Sequence, residues 1–357
     1  MTGGFVVGVC FSSAFYVAAV SDACTLSVSC FNWHMSSFSN YLRLMRSSLL
    51  PTAWSNVLLG FAMSTLPEVT SPNWWALPWL LLCSSGLYLG GMVMNDLFDY
   101  EEDRHQRPER VLPSGFISLR QAQRLMLLLI AVGVLSAIVA SIVAGNKYWT
   151  PLIMALTVLF FITLYNRYAK HSPFGPFVMG LCRSGNVLLG VSLIEPGSSF
   201  PYFSMLSLYV AGAMGLYVAG ITWFAREEHQ KSSRVGLLTG TGLILLAVLA
   251  LMALPHSSLW TSLPDTEAGK NPFNQRPLLF DGLLFMMVLP VFRHLANAIS
   301  TGDARDVKKG VVISLLTIIM IDASVCYLFS SDTPVFALSV ALLIIPAWLG
   351  CRRIMGT

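Results

Sequence analysis

The chain has 357 residues, of which 55% are hydrophobic and 11% charged, with a formal net charge of +4. Charged residues make up roughly a quarter of a soluble domain, so a water-facing shell is excluded, and a mean hydropathy of +0.66 points to a bilayer. The small basic excess argues against a nucleic-acid footprint, and seven cysteines without CxxC spacing support neither a disulfide framework nor a zinc site.

A helix needs about 20 apolar residues to cross the hydrocarbon core. Apolar runs between polar breaks predict spans near 48–66, 74–94, 121–144, 148–165, 176–194, 202–225, 236–254, 277–299, 308–330 and 334–350. The expected fold class is all-α: a polytopic membrane helical bundle of nine or ten transmembrane helices, the last two able to form a hairpin. Residues 1–40 carry an apolar patch without a basic flank and read as an extension outside the fold, with Met35 or Met45 as the initiator. Residues 41–357 read as one transmembrane domain with motif loops at 95–120 and 226–235.

Alternating the connections between two sides places 18 of the 22 Lys and Arg on one side and three on the other, with Arg183 inside a span. Lys and Arg are retained in the cytoplasm during insertion. The basic side, which holds both motif loops, is therefore expected to be cytoplasmic.

Chemistry concentrates after the second span, where six of the 18 acidic residues fall between Asp96 and Glu109. Asn95, Asp99 and Asp103 are four apart, so a helix continuing past the membrane surface projects them from one face, about 6 Å apart along the axis. Such a ladder suits magnesium, which takes oxygen ligands and is commonly held by one or two carboxylates plus substrate phosphates. Arg104, Arg107 and Arg110 beside it offer donors to phosphate oxygens. A solvated loop with an ordinary Asp103–Arg107 ion pair is the plainer alternative. Pro108, Pro113, Ser114 and Gly115 end the helix and turn the chain. Further along, Arg183 and Asn186 share a helix face within the fifth span, and Asp322 lies deep in the ninth. Ionisable groups at such depth normally face a partner or a cavity.

The run NDLFDYEEDRHQRPERVLPSG, Asn95 to Gly115, resembles the first signature of the UbiA superfamily of intramembrane prenyltransferases. Supporting similarity lies in YLRLMRSSLLPTAWSNVLLG (41–60) and LYNRYAKHSPFGPFVMGLCRSGNVLLG (164–190), and TWFAREE (222–228) resembles the EboC-like branch. The resemblance implies a helical bundle around a lipid-facing chamber, Mg2+ as cofactor, and transfer of a prenyl group from a prenyl diphosphate to an aromatic or other lipophilic acceptor. It implies an integral protein of a bacterial inner membrane whose active site faces the cytoplasm, in contact with membrane lipids and not with nucleic acid. On this likeness Asn95, Asp99 and Asp103 hold the metal. Arg107 and Arg110 sit on the phosphates, Tyr165 and Lys170 lie near the diphosphate, and Asn56, Arg183 and Asn186 line the substrate pocket.

The second acidic element of such proteins, DxxxD after the sixth span, is altered. Glu227 stands at its first position, but Lys231 occupies the second and cannot ligate magnesium. Lys231 could neutralise diphosphate directly, giving a single-metal site. The change equally suits a non-catalytic relative that binds isoprenoid or lipid as a carrier or assembly protein.

Overall fold

The computed structural model describes residues 38–64, 73–146, 149–193, 203–226, 233–261, 276–329 and 335–355. Most of the N-terminal extension, together with Glu227 and Lys231, lies outside the described residues. Helices follow in the order α1 (Leu50–Ser64), α2 (Leu77–Phe98), α3 (Tyr100–Gln106), α4 (Leu119–Val143), α5 (Thr150–Leu164), α6 (Gly175–Val191), α7 (Met205–Ala225), α8 (Arg234–Ala253), α9 (Pro277–Thr301), α10 (Ala304–Phe329), α11 (Val335–Leu342) and α12 (Ile344–Met355). There is no strand among the described residues.

Each predicted span contains a helix, and seven helices among the described residues are long and apolar enough to cross a membrane. α1 and α6 are shorter, at 15 and 17 residues. The predicted tenth span differs: it is broken into α11 and α12 at Leu343. Pro346 explains the break, because its ring lacks the N–H and clashes with the carbonyl four residues earlier, at Leu342.

Each long helix packs on its neighbours in chain order, and α1 also touches α6 and α10, so the bundle closes into a ring. One apolar core is shared mainly by α6–α10 and a second by α1, α2, α4 and α5. They meet at the α1–α6 crossing. A Cβ on Gly60 would lie 2.0 Å from the Val187 carbonyl oxygen, and one on Gly190 2.1 Å from that of Val57. Backbones approach this closely in membranes only where a side chain is missing. The crossing sets how near Asn56 and Arg183 come to each other.

The loop from α3 to α4 turns through Gly115, whose φ of 79° favours glycine. It ends in a capping box between Ser118 and Gln121 that starts α4. Leu44, Val93, Leu112, Ile117 and Ala122 form a small core beneath this loop, holding the motif segment against the end of the bundle.

Candidate functional site

α2 ends at Phe98, but its hydrogen-bonding ladder does not. Asp99 stays helical at φ −84° and ψ −2°. Its N–H donates to the Asn95 carbonyl at 3.0 Å, and the Asp103 and Arg107 N–H groups donate to Asp99 and Asp103 at 2.8 Å each. Asn95, Asp99 and Asp103 therefore rise one turn apart on a common face. Asp99 and Asp103 are 9% and 6% exposed, whereas Glu101, Glu102 and Glu109 point to solvent. The acidic cluster divides into a buried ladder and a solvated outer face.

Across from the ladder, α5 runs on into a π-helical turn, Tyr165–Ala169, in which the Lys170 N–H donates to the Tyr165 carbonyl at 2.9 Å. One extra residue in a turn rotates the residues beyond it by about 100° relative to a continuing α-helix, and such turns are frequent at functional sites. Lys170 Nζ donates to Asn95 Oδ1 at 3.1 Å and to Asp99 Oδ2. Asn95 Nδ2 donates in turn to Asp99 Oδ2 at 3.1 Å and to Asp96 Oδ1 at 3.3 Å. Arg110 donates to Asp103 Oδ2 at 2.5 Å, and Arg46 to Asp96 Oδ1 at 2.9 Å. Three carboxylates thus face three cations, and the cluster is close to neutral. Arg226, at the end of α7, fixes the turn after Lys170 by donating to the carbonyls of Lys170 and Ser172, both at 2.6 Å.

The donor set of the ladder fits magnesium. Asn95, Asp99 and Asp103 present oxygen alone, and the gap between Asn95 Oδ1 and Asp99 Oδ2 already accommodates a positive charge, the Lys170 ammonium. Among the described residues no three His, Cys, Asp or Glu side chains converge as a dedicated metal cage. Magnesium does not require one, since substrate phosphates and water commonly complete its octahedron.

A second polar station lies deeper. Tyr88 is seven residues before Asn95, about 10 Å down the same face of α2, and the Arg183 guanidinium stands 5.8 Å from its ring centre. Arg183 donates to Asn56 Oδ1 at 3.1 Å and Thr52 Oγ1 at 3.0 Å. Asn56 Nδ2 donates to Asp322 Oδ2 at 2.8 Å, which also accepts from Ser55 at 2.5 Å. Asn186 donates to the Ala53 carbonyl at 2.7 Å and accepts from Ser84 at 2.8 Å. Asn56 therefore links Arg183 on α6 to a fully buried carboxylate on α10. Such a chain spreads the cost of holding charge at membrane depth.

The structure brings Asn95, Asp99, Asp103, Arg110 and Lys170 together at the rim, and Asn56, Arg183 and Asn186 in the interior. Arg107 ends α3 as its cap, and Tyr165 is half-buried in the π turn. Sequence reasoning left Arg46, Asp96, Thr52 and Arg226 without a site role and left Asp322 without a firm partner. Asp322 carried a usable signal, an ionisable residue within an apolar run; the others carried none, because their partners are 50 or more residues away in the chain. Away from the ladder, an open groove of about 670 Å³ runs along the end of α9 beside Arg293, His294 and Asn297.

A sequence model of the UbiA prenyltransferase family matches residues 48–263, more than half of the chain. The chain belongs to the UbiA prenyltransferase family. It is similar to the digeranylgeranylglyceryl phosphate synthase of Methanocaldococcus jannaschii, with 31% identity over 159 residues, 44% of this chain and 52% of that protein. The synthase of the same name from Sulfolobus acidocaldarius is 29% identical over 171 residues, 48% of this chain and 58% of that one. The chain thus spans about half the length of these relatives. Among solved structures, a UbiA homologue from Archaeoglobus fulgidus bound to GPP and Mg2+ superposes with a TM-score of 0.53 at 15% identity, covering 85% of this chain and 99% of that one. A digeranylgeranylglyceryl phosphate synthase structure gives 0.52 at 22% identity, with the same coverage. These likenesses establish a shared UbiA fold in an integral membrane protein.

Proposed function

We propose that this UbiA-family chain transfers a prenyl group from a prenyl diphosphate to a lipophilic acceptor within the membrane, with magnesium at Asn95, Asp99 and Asp103. The observation that carries this reading is the buried oxygen ladder with its neighbour Asp96, whose three carboxylates are matched by Lys170, Arg110 and Arg46. Every carboxylate there has a cation that phosphate oxygens would attract equally well. The family membership, and the synthase activity named for the two archaeal relatives, point the same way.

In this mechanism Asn95, Asp99 and Asp103 would hold the metal, and Lys170 and Arg110, which donate to Asp99 and Asp103 in the ligand-free protein, would donate to the diphosphate. Arg107 and Tyr165 complete the binding of its outer oxygens. Bound magnesium supplies electron withdrawal from the leaving group. Fixed cations aimed at the departing diphosphate stabilise the charge that grows as the allylic C–O bond stretches. The apolar helix faces hold the isoprenoid tail and keep water from the developing cation. Arg183, Asn56 and Asn186, about two turns deeper, form a polar station for the acceptor. An acceptor with a lipid hydroxyl is favoured over an aromatic one by the glyceryl phosphate chemistry named for the relatives. The basic rim is read as cytoplasmic, residues 41–357 as one catalytic domain, and Glu227 and Lys231 as further contacts to the diphosphate.

The test is magnesium-dependent diphosphate release from geranyl, farnesyl and geranylgeranyl diphosphates by protein purified in detergent. Asp99→Ala is expected to lower the rate at least a hundredfold. Unchanged turnover in that variant sinks the assignment. The carrier reading has one observation of its own, the Lys231 substitution, and predicts binding of a prenyl diphosphate without any release.

A further inference from the structure

The π turn contains a side chain that the mechanism above does not use. Asn166 is 9% exposed, and its Oδ1 is buried without a hydrogen-bond partner. Buried amide groups are almost always paired, since an unmade bond costs the group's full desolvation. Asp322 and Asp281 also carry one orphaned oxygen each, but in both the second oxygen is bonded, to Ser55 and Asn56 and to His256 respectively. Asn166 makes no side-chain hydrogen bond with any described residue.

Its position in the helix pair fixes its level relative to the oxygen ladder. α2 and α5 run side by side in the same direction, and three levels define their register. At the lowest, a Cβ on Gly91 would lie 3.1 Å from the Ile162 side chain. At the highest, Lys170 reaches Asp99 and Asn95. Asn95 stands four residues beyond Gly91 and four before Asp99, and Asn166 stands four beyond Ile162 and four before Lys170. Asn166 therefore lies about level with Asn95, roughly one turn below Lys170, whose backbone the π turn stacks over Tyr165.

We infer that Asn166 is a further oxygen ligand of the cation–diphosphate site, its carboxamide oxygen taking up magnesium bound with a prenyl diphosphate once Lys170 has turned to the phosphates. This rests on the function proposed above. A neutral amide oxygen suits the place, because Lys170 shares Asn95 and Asp99 in the ligand-free protein and a third carboxylate would leave excess negative charge there. The orphaned oxygen is then a group kept for a ligand, at a stability cost in the empty protein.

The test uses the full chain in detergent, with magnesium and a thiolo analogue of geranyl diphosphate that binds without losing its diphosphate. The readout is the magnesium concentration giving half of the rise in melting temperature. Asn166→Leu removes the oxygen at similar volume. It is expected to melt at or above the wild type without ligand, yet to need about tenfold more magnesium. Asn166→Asp keeps the oxygen, and its magnesium midpoint is expected at or below that of the wild type. An Asn166→Leu protein with the wild-type midpoint, or an Asn166→Asp protein as impaired as Asn166→Leu, overturns the inference alone. A wild type whose melting never responds to the pair overturns the proposed function and this inference with it.

Discussion

Asp322 is fully buried and is held by hydrogen bonds from Ser55 and Asn56, the latter joining it to the Arg183 cation. Removing one member of a buried charge pair is costly because the other is stranded, whereas removing both is often nearly neutral. Arg183→Leu is therefore expected to destabilise the protein by about 3 kcal/mol, read as a lower thermal midpoint in detergent. Arg183→Leu combined with Asp322→Leu should recover most of that loss. A double variant as unstable as the sum of the singles would show that the two do not communicate through Asn56. At the rim, Lys170→Met should abolish diphosphate release while leaving the fold intact, because Asn95 still donates to Asp99.

At the scale of elements, the α1–α6 crossing governs the inner station. Ala at position 190 would drive a methyl into the Val57 carbonyl at 2.1 Å, and neither backbone can yield without separating the helices. Gly190→Ala should therefore break the Arg183 bonds to Thr52 and Asn56, measurable as lost activity and a depressed melting temperature. Gly212→Ala meets open space and should behave as wild type. Helix positions were legible in the sequence because apolar runs of membrane length have few other uses, and the four-residue spacing from Asn95 to Asp103 gave the shared face directly. The break at Leu343 was legible only through Pro346. Which cation meets which carboxylate was not legible: Lys170 reaches Asp99 across 71 residues, a pairing fixed by the parallel lie of α2 and α5 and by the π turn. Arg183 and Asn186 were visible as a pair, but their common partner helix, α1, depends on glycines whose spacing carries no message about what they touch.

For the whole molecule, the charge asymmetry and the aromatic residues agree. Trp74, Trp75 and Trp79 cluster at the start of α2 with exposures of 55%, 81% and 37%, as expected at a membrane–water boundary. The arginine-rich motif loop lies at the other end of the same helix. A membrane-impermeant maleimide should label Trp75→Cys in intact cells and Ser114→Cys only in inverted vesicles, each in a background lacking the native cysteines. The reverse pattern would invert the proposed orientation and place the carboxylate ladder outside the cell.

The ammonium of Lys170 also bears on the order of events. While it rests between Asn95 and Asp99, the protein supplies its own counterion, and under the proposed function a bare divalent ion would have to displace that tethered competitor. A pyrophosphate group gives that side chain a new anchor. Under the proposed function metal and anion are therefore expected to be thermodynamically linked, each binding feebly alone and tightly in the other's company, so that the reactive head group would be gripped only when it arrives complete.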